Sequence, residues 1–355
     1  MTNISPARSS AAAGRHAAAA RPRRMVLLAA VMLATGLAAA ACSSAKAGGP
    51  TTAATGSAAS LSAVTLRVGD QKGTGAQALL TAAGLIGKLP FKIAWSDFTS
   101  GPPMLQAMGA GSIDIGGVGN APPVFAAAGG EKIAIVGALR ANPLQSAIVV
   151  PKSSPVTSIS QLRGKRIAVA QGSSADYHIL TVLEKAGLTV RDVTLDYLQP
   201  AEALAAFNSG HVDAWDIWSP YIEQVVAQDN ARAVASGTGF GSPYLFTVAS
   251  RAALGDSGKV AAIRDYLTLL GQAHAWANAH LQAWADVWAQ ATGLPDSIML
   301  TAARDDYSTQ IPITAAVLAS EQQVANAFYA AGLVPAKVTF SDYADLSFNS
   351  VLGSS

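Results

Sequence analysis

From Val64 onward, strand-like and helix-like runs alternate along the chain, and this alternation constrains the fold more than any other feature of the sequence. The first pair is typical: Val64–Val68 has the pattern of a strand, and the apolar segment Ala76–Ile86 has the pattern of a helix. Strands separated by helices form βαβ units, which build a mainly parallel, doubly wound sheet. The rhythm is interrupted at Pro151–Pro155 and then restarts, so we predict two α/β lobes.

The two lobes are predicted to share the chain unequally. Lobe 1 takes residues 63–150 and, after a return crossing, residues 244–355, which end in long helices. Lobe 2 takes residues 151–243. Hinges are expected where the chain crosses between the lobes, near residues 150–151 and 242–244.

Aromatic residues recur at every fourth position within a helix predicted over residues 260–292. They are Trp276, His280, Trp284 and Trp288. Residues four apart share one face of a helix. We expect this stripe to pack in the core, and an aromatic surface that contacts a ligand is the alternative.

The first 62 residues are typical of an export signal followed by a tether. Five arginines and no acidic residue come before Cys42, which directly follows an apolar run. A basic segment, a short apolar segment and small residues before a cut form a secretory signal, predicted here over residues 1–41. Ala39-Ala40-Ala41-Cys42 resembles the lipobox of bacterial lipoproteins, so we predict that Cys42 is lipidated. An Ala/Gly/Ser/Thr-rich flexible tether is predicted over residues 42–62.

These predictions place the protein outside the cytoplasm, anchored by lipid at the outer face of the cell membrane. A plain secreted protein with a free thiol is the alternative. The export route, general secretory or twin-arginine, stays open, because paired arginines are common before an apolar signal segment.

The charge balance excludes several classes of partner. The chain carries 24 Lys+Arg and 22 Asp+Glu, and removing the five N-terminal arginines leaves 19 basic residues and a net charge near −3. A mildly acidic body without a basic cluster argues against a nucleic-acid partner and against a polybasic membrane surface. Cys42 is the one cysteine in the sequence, which excludes an intrachain disulfide or a cysteine-based zinc site. We expect no metal and no cofactor.

The same local pattern occurs three times: a strand-like run, a glycine, small polar residues and the start of a helix. The copies begin at Gly69, Gly119 and Gly172. Ligands of open α/β sheets bind at the carboxyl ends of strands, and helix N-termini offer N–H groups to anions. Three such turns divided between two lobes predict one anion in a cleft, with hydroxyls from Ser173 and Ser174. The alternative is that each turn caps its own helix.

No catalytic constellation accompanies these turns. The P-loop pattern is absent at Gly69–Gln77, and the sequence contains no GxSxG nucleophile elbow. Asp213 and Asp216 lie in a strand-like run that ends at Trp218, with no paired acid evident nearby. The rigid aromatic side chains of this run suit either a cleft or a core. We therefore predict a binding protein and not an enzyme.

Taken together, these segments resemble the substrate-binding lipoproteins of ABC importers for aliphatic sulfonates, within the larger nitrate, sulfonate and taurine group. Five segments carry the resemblance, in the family's order: Gly69-Asp70-Gln71-Lys72-Gly73, Gly111–Gly116, Gly119–Phe125, Gly172–Tyr177 and Gly210–Tyr221. The resemblance implies a type II periplasmic-binding fold, with two doubly wound α/β lobes, two crossings and a ligand cleft between the lobes. It also implies a monomer that delivers a small anionic organic ligand, a sulfonate, to a permease and its ATPase subunits.

The resemblance also implies which positions face the ligand. The predicted site consists of Gln71, Gly73, Asn120, Ala121, Ser173, Ser174, Tyr177, Asp213, Trp215 and Trp218. The chain departs from the family pattern at Asn120-Ala121, where an Asp-Thr pair is usual, and also at Asp176, Asp216 and Ser219. The lost acid predicts a sulfonate or related oxyanion without an ammonium group. Nitrate, taurine and a thiamine precursor are the alternative ligands, and an enzyme of the same fold is a more distant one.

Overall fold

The computed structural model describes residues 61–71 and 75–353. The predicted signal peptide, the tether as far as residue 60, Cys42 and Gly73 lie outside the described residues. Within the described part of the chain, no helix is both long enough and apolar enough to cross a membrane. These residues belong to one compact unit.

Strands and α-helices alternate over the first two thirds of the described chain, and helices dominate the rest. The strands are β1 (Thr65–Gln71), β2 (Lys92–Phe98), β3 (Ile115–Val118), β4 (Ile133–Ala141), β5 (Ser146–Pro151), β6 (Arg166–Val169), β7 (Thr194–Tyr197), β8 (Ala214–Trp218), β9 (Ala231–Ser236), β10 (Tyr244–Ser250) and β11 (Ser308–Ile311). The helices are α1 (Ala76–Ala82), α2 (Gly101–Gly109), α3 (Ala121–Ala128), α4 (Ser174–Lys185), α5 (Pro200–Asn208), α6 (Tyr221–Gln228), α7 (Arg251–Leu254), α8 (Ser257–Ala279), α9 (Leu281–Thr292), α10 (Asp296–Asp305) and α11 (Ala315–Ala330).

The strands form two sheets, one in each lobe. The first sheet has the order β11-β4-β10-β3-β1-β2, and the second has the order β7-β6-β8-β5-β9. Strands β1, β2 and β3 are parallel, and so are β6, β7 and β8. In the second lobe α4 packs on one face of the sheet, whereas α5 and α6 pack on the other. This is the doubly wound arrangement that the alternation predicts.

Each crossing between the lobes sets the direction of the strand that follows it. The chain leaves β4 and crosses through residues 142–145 to begin β5. Because β5 starts at the edge of the second sheet where β8 ends, it runs antiparallel to β8. Strand β10 enters the first sheet in the same way, after a crossing through residues 237–243, and runs antiparallel to β3 and β4. The sheets are therefore mixed, and the prediction of mainly parallel sheets is corrected.

The first crossing comes earlier than the sequence suggested. Residues 146–151 pair with β8 and β9, so they belong to the second sheet. The predicted boundary after residue 150, and the hinge placed beside it, are therefore wrong. The turn-rich segment Pro151–Pro155 misled the prediction, because it ends β5 inside the second lobe and does not cross between lobes.

The C-terminal helices α8 to α11 pack with the first sheet in one hydrophobic core. The single helix predicted over residues 260–292 is broken at His280, whose φ of −130° and ψ of 51° separate α8 from α9. The aromatic stripe is thereby divided into two stacked pairs, Trp276 on His280 and Trp284 on Trp288. The ring centroids are 5.1 Å apart in both pairs.

Side chains of the two lobes contact each other directly. The hydroxyls of Thr99 and Ser100, between β2 and α2, both donate to Oε1 of Gln199 at 2.8 Å. Tyr177 of α4 packs against Phe328 of α11, with ring centroids 5.9 Å apart. These contacts join the two lobes directly, in addition to the chain crossings.

Candidate functional site

A cavity of about 440 Å³ lies between the two sheets and is lined by residues of both lobes. This volume falls within the range of roughly 300–1,000 Å³ that is typical of pockets for organic ligands. None of the described residues that line the cavity is a lysine or an arginine. Apart from His178, which also lines the cavity, the groups available to a bound anion are neutral hydrogen-bond donors and helix N-termini, which can satisfy its oxygens.

The turn after β1 already binds an acid of its own. The Asp70 carboxylate accepts hydrogen bonds from the N–H groups of Ala76 at 2.8 Å and Gln77 at 3.1 Å, the first donors of α1. Gly75 permits this approach, because a Cβ atom there would lie 2.4 Å from Asp70 Oδ2. Burial raises the pKa of Asp70, and the N–H groups oppose that shift. The predicted anion site at the start of α1 is therefore wrong, because Asp70 occupies it.

Gln71 lines the cavity beside Asp70. Its Nε2 donates to the carbonyl oxygen of Gly117 at 2.9 Å, which fixes the amide across the ends of β1 and β3. The second N–H and the Oε1 atom of this amide remain for a ligand.

The start of α3 carries an unsatisfied polar group. Asn120 lines the cavity, is only 3% exposed, and its Oδ1 has no hydrogen-bond partner among the described residues. Ala121 follows it and is fully buried, so its backbone N–H, and not its side chain, is what it can offer. Pro122 and Pro123 come next and have no N–H groups. The first turn of α3 therefore presents fewer donors than an ordinary helix does.

The start of α4 presents the fullest set of donors. Ser173 is its N-cap residue, Ser174 is its first residue, and both line the cavity. The first N–H groups of a helix have no partner within the helix. The first lobe approaches closely here, since a Cβ atom added to Gly119 would lie 1.7 Å from Ser174 Oγ. An anion between the lobes would thus meet two serine hydroxyls and the positive end of α4.

The predicted site residues in and before β8, Asp213, Trp215 and Trp218, lie in three different surroundings. Trp218, at the end of β8, lines the cavity. Trp215 is fully buried and packs between Phe207 and Tyr221 in the core of the second lobe. Asp213 precedes β8 at the opposite end of the strand, where it accepts a hydrogen bond from the Arg166 N–H at 2.9 Å.

The predictions for Asp213 and Trp215 are therefore corrected. A strand presents successive side chains to opposite faces and its two ends to opposite edges. These geometric rules separate three residues that lie close together in the sequence. Tyr177 is also outside the cavity lining, since its ring belongs to the contact between the lobes.

A buried cluster of charged groups supports the second lobe beneath α4. His178 Nδ1 lies 2.9 Å from Asp216 Oδ2, and its Nε2 lies 3.3 Å from the carbonyl oxygen of Ser236. Burial lowers the pKa of His178, but the Asp216 carboxylate outweighs it and holds that pKa above its ordinary value. Burial raises the pKa of Asp176 to about 7, although the N–H of Gly172 donates to its carboxylate at 2.8 Å. Two of the three departures from the family pattern in this lobe, Asp176 and Asp216, are thus coupled, because the charge of Asp216 also raises the pKa of Asp176.

Several lining residues were not among the predicted site residues, because they come from the C-terminal part of the first lobe or lack a motif. They include Ser219, Tyr266, His274, Trp284, Trp288 and Asp306. Burial lowers the pKa of His274 to about 4, so its ring is neutral near pH 7, and its Nδ1 lies 3.1 Å from Ser308 Oγ. The four-residue spacing of Trp284 and Trp288 was the available signal. Both are buried as expected, and they also line the cavity.

No cluster of three or more histidine, cysteine or acidic residues in the described chain could hold a metal ion. The cavity therefore has hydrogen-bond donors at the start of α4, partial donors at the start of α3 and an aromatic wall from α9. This composition suits a small organic anion with an apolar portion.

Comparison with known proteins supports this description. Residues 100–265 match the family model described as "NMT1/THI5 like". The chain is 36% identical over 284 residues to a putative aliphatic sulfonates-binding protein of Escherichia coli (strain K12), covering 79% of this chain and 88% of that protein. It is 32% identical over 132 residues to the taurine-binding periplasmic protein of the same organism, covering 37% of this chain and 40% of that one.

Solved structures show the same architecture. The alkanesulfonate-binding protein of Xanthomonas axonopodis pv. citri, bound to MOPS, superposes with a TM-score of 0.72 at 35% identity, covering 79% of this chain and 98% of that one. The two α/β lobes joined by two crossings, which the resemblance implied, are confirmed by this match.

Proposed function

This chain belongs to the family of aliphatic sulfonate-binding proteins, and on that premise we propose that it captures aliphatic sulfonates outside the cytoplasm for an ABC importer. The two lobes close on the ligand, and the closed protein presents it to the permease and its ATPase subunits. Sulfur acquisition is the corresponding role in the cell. The protein acts by binding alone, as a monomer, and not as an enzyme.

The donor set at α4 carries this proposal. Ser173 and Ser174 bring two hydroxyls and the positive end of a helix into an enclosed cavity without a described Lys or Arg lining it. A sulfonate keeps its negative charge at all ordinary pH values, so dipoles and hydroxyls can hold it without a matching cation. Gln71 and Asn120 face the same cavity from the first lobe. Closure therefore brings donors of both lobes to one group.

The cavity favours a sulfonate with an organic tail over nitrate. Its volume of about 440 Å³ is much greater than a four-atom oxyanion fills, and Trp218, Trp284 and Trp288 contribute apolar surface. Burying such surface around a tail adds affinity at about 25 cal/mol per Å². Nitrate, taurine and a thiamine precursor remain as the competing ligands of the test.

Calorimetric titration of the protein lacking residues 1–41 tests the ligand class, using alkanesulfonates, taurine, nitrate and a pyrimidine precursor of thiamine. We expect the alkanesulfonates to bind more tightly than nitrate and the pyrimidine. Ser174→Ala combined with Gln71→Ala should weaken sulfonate binding by at least about 100-fold, because hydrogen bonds to a charged group are lost. Ser209→Ala combined with Gln282→Ala, neither of which lines the cavity, is the control. Tight binding of nitrate or the pyrimidine, without sulfonate binding, would overturn the proposal.

The attachment to the membrane is proposed from the sequence alone. Cys42, after cleavage of the signal peptide, is the site of lipidation, and residues 43–62 are the tether. Membrane fractionation of cells that express the wild-type protein or Cys42→Ala tests this. We expect the wild-type protein in the membrane fraction and the variant in the soluble exported fraction; identical fractionation would contradict lipidation.

A further inference from the structure

The face of α4 that offers its first residues to an anion also carries a histidine. His178 follows Ser174 by four positions, and residues four apart share one face of a helix. Both side chains line the cavity. The imidazole ring therefore lies one helical turn from the place where the sulfonate is proposed to bind, on the same side of α4.

An ion pair presents this ring to the cavity. His178 Nδ1 lies 3.0 Å from Asp216 Oδ1 and 2.9 Å from Asp216 Oδ2, and Asp216 is fully buried in β8. The imidazole is among the groups that line the cavity, whereas the carboxylate is not. The pair thus directs its positive member toward a ligand and keeps its negative member behind, so an anion in the cavity meets the cation first.

The contact of the second ring nitrogen favours the charged form of the ring. His178 Nε2 lies 3.3 Å from the carbonyl oxygen of Ser236, which can only accept a hydrogen bond. A neutral ring that donates to Asp216 through Nδ1 would turn the lone pair of Nε2 toward that oxygen. The imidazolium has an N–H group on both nitrogens and donates to both partners, so the observed geometry fits the protonated ring.

The same contact connects α4 to the second crossing between the lobes. Ser236 is the last residue of β9, directly before that crossing. Within the crossing, the Phe240 ring lies edge-on to the His178 ring with centroids 6.0 Å apart. The N–H of Gly241 donates to Thr181 Oγ1 of α4 at 3.0 Å. The helix that is proposed to bind the anion therefore also holds one of the two segments about which the lobes move.

We propose, on the basis of the proposed function, that His178 acts as an imidazolium that attracts the sulfonate to α4 and holds the second crossing in the arrangement of the closed protein. It is a positioning residue, because it joins the place where the ligand binds to the segment that moves. Loss of its proton removes a positive charge beside the anion and, at the same time, the donor to Ser236.

The pH dependence of binding follows from this role. Burial lowers the pKa of His178, but the Asp216 carboxylate outweighs it and holds that pKa above its ordinary value. Sulfonate affinity should therefore be highest where the ring is protonated. It should fall as the pH rises through the folded pKa, above about pH 6.5.

Other titratable groups around α4 define what the experiment must separate. Burial raises the pKa of Asp176, on α4 itself, to about 7, so this residue gains negative charge over the same pH range. Glu321 of α11, which packs against α4, acts on Tyr177, whose pKa burial raises and this acid raises further. Strand β5, helix α3 and the turn Ile159–Leu162 also pack against α4 and contain no titratable residue. The remaining charged residues of α4 lie at its opposite end, Glu184 and Lys185.

Calorimetric titration with ethanesulfonate from about pH 5.5 to about pH 9 tests the role of His178, because the ligand keeps its charge over this range. We expect the affinity of the wild-type protein to fall about tenfold, since a charge-assisted hydrogen bond and a nearby cation are lost. Asp176→Asn should retain a decrease of at least about fivefold. His178→Gln should bind at acid pH as weakly as the wild-type protein does at alkaline pH. His211→Gln removes an exposed histidine of the second lobe that does not line the cavity, and this control should follow the wild-type profile.

NMR titration of the imidazole adds a measurement that a purely structural role would not change. Saturation with ethanesulfonate should raise the pKa of His178 by about 1, because linkage equates a tenfold preference for the protonated form with that rise. Sequential assignment of the wild-type protein identifies the ring, so this measurement does not depend on the folding of a variant.

The outcomes separate the two proposals. A ring that is neutral at pH 6, a pKa that ethanesulfonate leaves unchanged, or a pH dependence that Asp176→Asn abolishes overturns the role of His178 while leaving sulfonate binding intact. Failure of alkanesulfonates to bind at any pH, with binding of another ligand class, overturns the proposed function itself.

Discussion

The hydrogen bonds between the lobes give the most direct test of whether closure contributes to affinity. Thr99 Oγ1 and Ser100 Oγ both donate to Gln199 Oε1 at 2.8 Å. In an open protein all three groups would instead face water. The contact therefore adds free energy to the closed state, and a ligand that requires closure gains the same free energy in its binding. Thr99→Val combined with Ser100→Ala removes both donors with little change of shape.

The expected loss follows from the contact itself. A neutral hydrogen bond contributes about 0.5–1.5 kcal/mol net. Thr99 is exposed whereas Ser100 is buried, so we assign the lower half of that range to Thr99 and the upper half to Ser100. The pair then contributes about 1.5–2.5 kcal/mol, and since 1.4 kcal/mol is tenfold, sulfonate affinity should fall about 12- to 60-fold. Most of the change should appear as faster dissociation, because the contact forms only after closure.

Calorimetric titration and stopped-flow dissociation at pH 7 measure these quantities. Thr81→Val combined with Ser209→Ala is a matched control, because each hydroxyl donates to a carbonyl group of its own helix, Thr81 to Gln77 in α1 and Ser209 to Ala206 in α5. The control should bind sulfonate as the wild-type protein does. An affinity of the Thr99→Val, Ser100→Ala variant within twofold of the wild-type value, at unchanged stability, would refute the reasoning that these hydrogen bonds stabilise the closed state.

Three further perturbations follow from buried contacts. Gly119→Ala should weaken sulfonate binding at least about tenfold in titration, because the new Cβ meets Ser174 Oγ, and an unchanged affinity would contradict the close approach of the lobes. Because the pKa of His178 is raised in the folded protein, its protonation stabilises the fold below about pH 6.5, and this contribution is lost as the pH rises through the folded pKa. Urea unfolding should show this fall in the free energy of unfolding for the wild-type protein and not for Asp216→Asn. Glu321 is fully buried, its two oxygens have no hydrogen-bond partner among the described residues, and its pKa lies well above its ordinary value. Because Glu321 ionises in the unfolded state above about pH 4.5, its burial lowers the free energy of unfolding more and more as the pH rises. Glu321→Met should therefore raise the free energy of unfolding by about 1–4 kcal/mol at pH 7 and by much less at pH 4. Equal increases at both pH values would argue against this cause.

The sequence predicted the two lobes because the alternation of strands and helices is a local property. Each apolar run and each glycine turn is recognisable within about ten residues. The direction of β5 and β10 is different in kind, since it depends on where the chain enters a sheet after a crossing. Residue 146 was assigned to the wrong lobe for the same reason: a strand has the same pattern whichever sheet it joins. Pairing partners are a tertiary property.

The candidate site likewise combines residues that a local pattern predicts with residues that only tertiary packing brings to the cavity. Ser173 and Ser174 were predicted because the turn that carries them is contiguous and leads directly into α4. Trp284 and Asp306 were not, since they reach the cavity only through the packing of α9 and α10 against the rest of the first lobe. Trp215 and Trp218 were grouped because they are three residues apart, yet the strand directs them to different surroundings.

Asp70 explains why a glycine turn before a helix is an incomplete prediction of an anion site. Such a turn identifies free N–H groups, and an acidic side chain close by satisfies them as well as a ligand does. Asp70 takes the N–H groups of α1, and prolines remove donors from α3, so α4 keeps the fullest set. The sulfonate is therefore expected to bind first to the second lobe, at Ser173 and Ser174. The first lobe then closes over it with Gln71 and Asn120, which makes closure dependent on a ligand already seated on α4.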